Sequence, residues 1–217
     1  MHNTLHALLA AHNNLRRLVA LLERRPVMLA DPDDSHASLL VDALSYLTQY
    51  PDTGHHLMED HMAQRLLACN ALDHAECAEI EAQHATLARQ GRALLDGLEG
   101  ALRKDTASSE WVSMNTRLYA ERLRHNMAVE ELVLFPAAQR TFTDADWQAI
   151  EAANLRETPD PLFNSHVQTQ FKELHHAMRW TQAATANPDG QSGSTTRISW
   201  AIWVAPHKAV SLNRRGC

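Results

Sequence analysis

Glycine is scarce in this chain, with seven among 217 residues. Phosphate-cradling loops and dinucleotide fingerprints need closely spaced glycines, so nucleotide chemistry is disfavoured from the start. β-Branched residues are also few, which argues against a sheet protein. The three cysteines, Cys69, Cys77 and Cys217, form no close CxxC pair, and so give no support to a disulfide framework or a thiolate metal site. No apolar run approaches the roughly 20 residues of a membrane-spanning helix, and the N-terminus lacks a charged start followed by an apolar core and a cleavage site. Basic residues are scattered and the formal net charge is -6, leaving no electrostatic footprint for nucleic acid or an anionic membrane. The expectation is a cytoplasmic chain with neither as partner, for which a homodimer is an admissible assembly.

Alanine and leucine dominate instead, and helix formers of that kind predict an all-α fold. The length suits one domain plus a tail, large enough to bury a core without structural metal, so any metal would serve function. Apolar residues recur at helical spacing from Leu5 to Leu22, ending near Arg25-Pro26. After an Asp- and Pro-rich stretch (Asp31 to Asp34) that offers a cap, a second helix begins around Leu39, and Pro51 and Gly54 are expected to kink or interrupt it. The pattern resumes from His55 to Ala68. Asp73 can cap a third helix reaching Lys104-Asp105, and Ser108 or Ser109 opens a fourth in which Pro136 should bend the last turn. Thr143 and Asp144 cap a short helix through Ala153, and Pro159 and Pro161 lead to a fifth stretch from His166 to about Ala183. The reading is an up-and-down four-helix bundle over residues 1–140, a helical extension packed on it over 141–185, and a tail over 186–217.

Histidine is the surplus, at fourteen. A helix turns about 100° per residue, so each histidine can be tested against the apolar stripe of its own helix. His12 falls inside the stripe of Leu8, Leu9 and Leu15, and His84 inside that of Cys77, Ile80 and Leu87. His55, His56 and Glu59 share one arc with Met62 and Leu66. Glu130 lies at the centre of the stripe of Tyr119, Leu123, Val133 and Ala137, where a carboxylate is costly to bury without a cation or metal. Singly, each has an ordinary explanation: a hydrogen-bonded core histidine, a glutamate serving a helix dipole, or a Glu130–Arg16 ion pair. Jointly they put nitrogen and oxygen donors from consecutive helices into one interior. As many as seven imidazole and carboxylate donors exceed one tetrahedral zinc, and a carboxylate-bridged pair of iron or manganese ions fits better. Zinc in a subset of them is an alternative.

The stretches AHNNLRRLVALLE (11–23), YPDTGHHLMEDHM (50–62), EAQHATL (81–87) and LRHNMAVEELVLFPAA (123–138) resemble the hemerythrin-like, or HHE cation-binding, family. TDADWQAIEAA and DPLFNSHVQTQF resemble the extension of bacterial members. The resemblance implies an oxo- or hydroxo-bridged di-iron site, with His12, His55, Glu59, His84 and Glu130 matching the pattern and His56 at a place where some members also bind metal. Many relatives carry a histidine where this chain has Asn126, with His125 beside it. The angular test puts Asn126 near the stripe centre and His125 at its edge. Either a local bulge turns His125 inward, or the site has one imidazole fewer and an open or water-filled position.

With no second catalytic constellation in the chain, the leading expectation is a module that binds O2 or senses oxygen or iron, rather than an enzyme. One alternative is a di-iron oxidoreductase or stress-repair protein acting on NO, peroxide or iron centres. Another is a metal-free helical interaction module.

Overall fold

The computed structural model describes residues 1–24, 35–103, 108–153, 160–164 and 167–186, and every regular element among them is helical. The expected helix ends at Arg25-Pro26 and Lys104-Asp105, the cap within 31–34, the residues Pro159 and His166, and the segment 187–217 all lie outside the described residues.

α1 (Asn3–Arg24) holds the first stripe. α2 (Ser35–Tyr50) passes through a π-helical turn (Pro51–His55) into α3 (His56–Ala68). α4 (His74–Leu102) starts at Asp73, whose side chain accepts from the Glu76 amide while the Glu76 carboxylate accepts from the Asp73 amide, a capping box that satisfies two orphan donors. Ser108 caps α5 (Ser109–Val129), which runs through a second π-helical turn (Glu130–Leu134) into α6 (Phe135–Thr141). α7 (Asp144–Ala153) and α8 (Lys172–Ala186) follow.

Of the expected kink or interruption at Pro51 and Gly54, the interruption is absent, since the helical run continues through them, and Pro136 likewise sits in a helix that continues past it. A proline lacks an N–H and crowds the carbonyl four residues earlier. In both places the adjoining turn is widened to accommodate one extra residue, with His56 N–H donating to Pro51 O and Phe135 N–H to Glu130 O. The last helix begins at Lys172 rather than His166. Before it, Gln168 is extended, its N–H donates to Pro161 O at 2.9 Å, and a single 3-10 turn follows.

The long runs pair by direction. Glu23 meets Arg124 while His12 meets Glu131, so partners recede along α5 as α1 advances. Gln90 with Arg122 and His84 with Glu130 show the same antiparallel course for α4 and α5. Gly91 permits close approach at this level, because a Cβ there would lie 2.7 Å from Thr48 Cγ2 and 3.2 Å from the Tyr119 ring.

The core divides into two apolar clusters. One gathers Leu15, Leu18, Leu44, Leu47, Leu87, Leu94 and Leu123 and takes in Leu162, Phe171, Leu174 and Met178 from the C-terminal segments. The other gathers Leu5, Leu8, Met62, Leu66, Ile80 and Leu134 and takes in Trp147 and Ile150 of α7. Each long run crosses from one cluster to the other, and at each crossing the chain places polar residues: His12, then His55, His56 and Glu59, then His84, then Glu130. α7 is fastened beside the second cluster by Arg65 Nε, which donates to Asp146 Oδ1 at 2.7 Å, and by Thr4, which donates to Glu151 at 2.6 Å.

Candidate metal centre

The layer between the two clusters is built from four helical runs. His12 on α1 and Glu59 on α3 have no exposed surface, nor does Glu130 at the start of the second π-helical turn. His56 and His84 are buried, and the His55 side chain is 7% exposed. His12 Nε2 lies 3.2 Å from Glu59 Oε1 and 3.3 Å from Glu130 Oε2. His55 Nε2 is 3.2 Å from the same Glu59 oxygen. Across the layer, His84 Nε2 lies 2.8 Å from Glu130 Oε1 and 3.6 Å from Glu59 Oε2, and the His56 and His84 rings stack with centroids 4.3 Å apart.

Two sets of donors have all their ligand atoms within 4.8 Å of one another: His12, His55 and Glu59, and His56, Glu59 and His84. Glu59 belongs to both. Its Oε2 and the Oε2 of Glu130 are buried with no hydrogen-bond partner. Leaving such oxygens bare inside a protein is costly, and a cation is what their position calls for. Imidazole and carboxylate without thiolate suit iron, manganese or zinc, so the residues present fit a metal.

Behind the two facing imidazoles stand two further carboxylates. His12 Nδ1–H donates to Glu131 Oε1 at 2.8 Å, and Arg16 holds the other Glu131 oxygen at 2.7 Å. His84 Nδ1–H donates to Asp60 Oδ1 at 2.7 Å. Each acid directly follows the glutamate that points into the layer, and each fixes an imidazole so that its Nε2 faces inward. The ion pair weighed for Arg16 therefore forms with Glu131, not Glu130.

The electrostatics of the layer follow from burial and from carboxylates and imidazoles facing one another at short range. At His12 burial opposes the charged ring, but Glu130 and Glu59 outweigh it and raise the pKa to about 10. At His84 burial is likewise outweighed, by Asp60 and Glu130, and the pKa again reaches about 10. Burial, then the charge of His12, holds His55 well below its ordinary value. Burial and the neighbouring Glu130 push Glu59 upward. Glu130 goes the other way: burial would raise it, but the facing imidazoles of His12 and His84 lower it.

Of the seven residues singled out from the sequence, the structure brings His12, His55, His56, Glu59, His84 and Glu130 together. It does not bring His125. A widened turn is present nearby, but it begins at Glu130, beyond His125, and does not rotate that residue inward. Asn126 faces in with 1% exposure, and its amide donates to Glu130 Oε1 at 2.7 Å and to Gln83 Oε1 at 3.4 Å. His125 is exposed and lines a surface pocket with Glu79, Gln83 and Arg122.

Sequence reasoning missed Asp60, Glu131, Gln83 and the amide role of Asn126. An acid immediately after each inward glutamate, in Glu59-Asp60 and Glu130-Glu131, was the available signal. No helix among the described residues is long and apolar enough to cross a membrane. No curated protein and no solved structure matches the chain. A family model, the hemerythrin HHE cation binding domain, matches residues 3–138, which spans every residue of the buried layer. The chain belongs to the hemerythrin HHE cation-binding domain family.

Proposed function

We propose that this chain is a non-haem iron protein, an up-and-down four-helix bundle in which His12, His55, His56, Glu59, His84 and Glu130 hold a pair of iron ions. Its role in this reading is to bind O2 or to sense oxygen or iron. The observation that carries the reading is the pair of donor groups sharing Glu59, each with its ligand atoms within 4.8 Å. A shared carboxylate is the arrangement two adjacent cations need, and bundle cores are a known setting for it. Iron held there supplies one-electron chemistry toward a diatomic ligand.

The rest belongs to the chain. Asp60 and Glu131 hold the tautomers of His84 and His12. Asn126 ties Glu130 Oε1 and leaves Oε2 as the unpartnered donor. Two apolar clusters keep bulk water from the layer. Because Asn126 stands where many relatives carry histidine, the donor set is one imidazole short, and that gap supports an exchangeable position. The same gap supports the second reading, a di-iron oxidoreductase acting on NO, peroxide or iron.

Elemental analysis of protein from iron-replete cells, followed by stopped-flow spectroscopy of the reduced form with O2 and NO, tests both. Close to two irons per chain with reversible O2 uptake is expected. Multiple turnovers with N2O or water as product would replace binding with catalysis. Well under one metal per chain, with His12→Ala and Glu59→Ala changing neither metal content nor melting temperature, would overturn the metal reading itself.

A further inference from the structure

On the surface between α4 and α5 lies a pocket of about 350 Å³, lined by Glu79, Ala82, Gln83, Thr86, Leu87, Arg122 and His125. Its inner wall is thin. Gln83 lines the pocket, and its Oε1 is also the acceptor for Asn126 Nδ2. The same nitrogen donates to Glu130 Oε1, so a chain of two side chains, Gln83 and Asn126, links the pocket to the buried carboxylate. The two bonds are unequal. The one to Glu130 is short, at 2.7 Å, whereas the one to Gln83 is stretched to 3.4 Å, at the limit of a useful hydrogen bond. One amide proton of Asn126 is firmly placed and the other is loosely held. Gln83 is half-buried at the pocket edge, where its amide nitrogen donates to Glu79 Oε1 at 2.9 Å, so its firmer bond lies on the pocket side and its weaker one faces Asn126.

We propose that this pocket is the way in to the metal centre for a small hydrogen-bond acceptor, an anion or polar diatomic molecule, and that the Gln83–Asn126 bond is the contact that yields to it. The incoming atom takes over the loosely held proton of Asn126 and thereby arrives beside Glu130. Arg122 and His125 at the mouth favour an electron-rich ligand, while Glu79 keeps the mouth from becoming a strong anion trap. The inference rests on the metal reading above. It assigns to Asn126 and Gln83 a role that a ligand histidine at position 126 would not leave room for.

The test uses the full chain loaded with iron and oxidised to the ferric form, with azide as probe and binding followed by stopped-flow absorption. Thr86→Trp fills the pocket at a half-buried position away from the donors, and Ala82→Trp serves if that variant fails to fold. Gln83→Ala removes the yielding contact. Expected are metal content equal to the parent in all variants, an azide on-rate at least fivefold slower in the tryptophan variant, and one at least twofold faster in Gln83→Ala. A loaded parent that binds no azide, or variants short of either threshold, would overturn the inference alone. A parent that takes up no metal would remove the metal reading and the inference together.

Discussion

Asp60 and Glu131 act on the centre through another residue's ring. An imidazole presents Nε2 inward only if its Nδ1 carries the proton, and the carboxylates at 2.7 and 2.8 Å from Nδ1 of His84 and His12 enforce that choice. Asp60→Ala is therefore expected to weaken metal binding about 10–100-fold, the usual cost of losing such a support. Asp60→Asn, whose amide oxygen can still accept from Nδ1, should recover much of the loss; chelator competition reads both, and equal losses in the two variants would contradict a positioning role. The raised imidazole pKa values give a second prediction at this scale. His12 and His84 titrate near 10 in the folded metal-free chain against an ordinary 6.5. Their stabilising contribution is complete below about 6.5 and is lost as pH climbs through about 10. The metal-free protein should lose melting temperature steadily over that window. Metal displaces those protons, so the loaded protein should give a much flatter profile; parallel slopes with and without metal would count against protons standing in for the cation.

At the scale of the element, helix existence was legible from apolar spacing, and the caps at Asp73, Ser108 and Thr143 from residue type. The two π-helical turns were not, because a widened turn leaves the apolar stripe nearly intact on both sides and periodicity cannot register one inserted residue. Pro51 and Pro136 marked the places, but as a kink or interruption and as a bend rather than as a widened turn. The distinction between a break and a widened turn depends on packing around the run, as where His55 and Glu59 meet His12 of α1 and His56 and Glu59 meet His84 of α4. Close packing also makes Gly91 irreplaceable in a way its sequence context conceals. A Cβ there would meet Thr48 Cγ2 at 2.7 Å, and a short branched side chain between helices has little freedom to retreat. Gly91→Val is expected to cost roughly 1–3 kcal/mol by overpacking. Gly91→Ala should cost less, since alanine recovers about 1 kcal/mol of helix propensity. Denaturant titration measures both, and a neutral valine variant would show that α2 and α4 can separate there without penalty.

Over the whole molecule, the position of the buried layer was legible because charged residues sat on otherwise apolar stripes of separate helices. Their meeting in one interior was inferred from the joint pattern on consecutive helices, whereas which acid stands behind which imidazole depends on packing that spacing does not give. Nothing near His84 in sequence announces Asp60, twenty-four residues earlier. The choice between His125 and Asn126 turned on angle, and the placement of Asn126 inside and His125 outside follows the helix phase. This layer interrupts the core between two apolar clusters, so without a cation the bundle carries two unpartnered carboxylate oxygens at its middle. Metal and fold are then linked: a cation that binds only the assembled layer stabilises the whole bundle by mass action. Free metal at a hundredfold its dissociation constant contributes about 2.7 kcal/mol, which for a chain of this size is roughly 5–10 °C in melting temperature. Calorimetry of the metal-free protein with and without anaerobic ferrous iron should show that rise. Glu59→Ala should abolish it, because the carboxylate shared by both donor groups is gone. Leu132→Ala, at an exposed position outside the layer, should retain it. An equal rise in all three proteins would mean that iron binds elsewhere on the surface and that the layer is held by protons and packing alone.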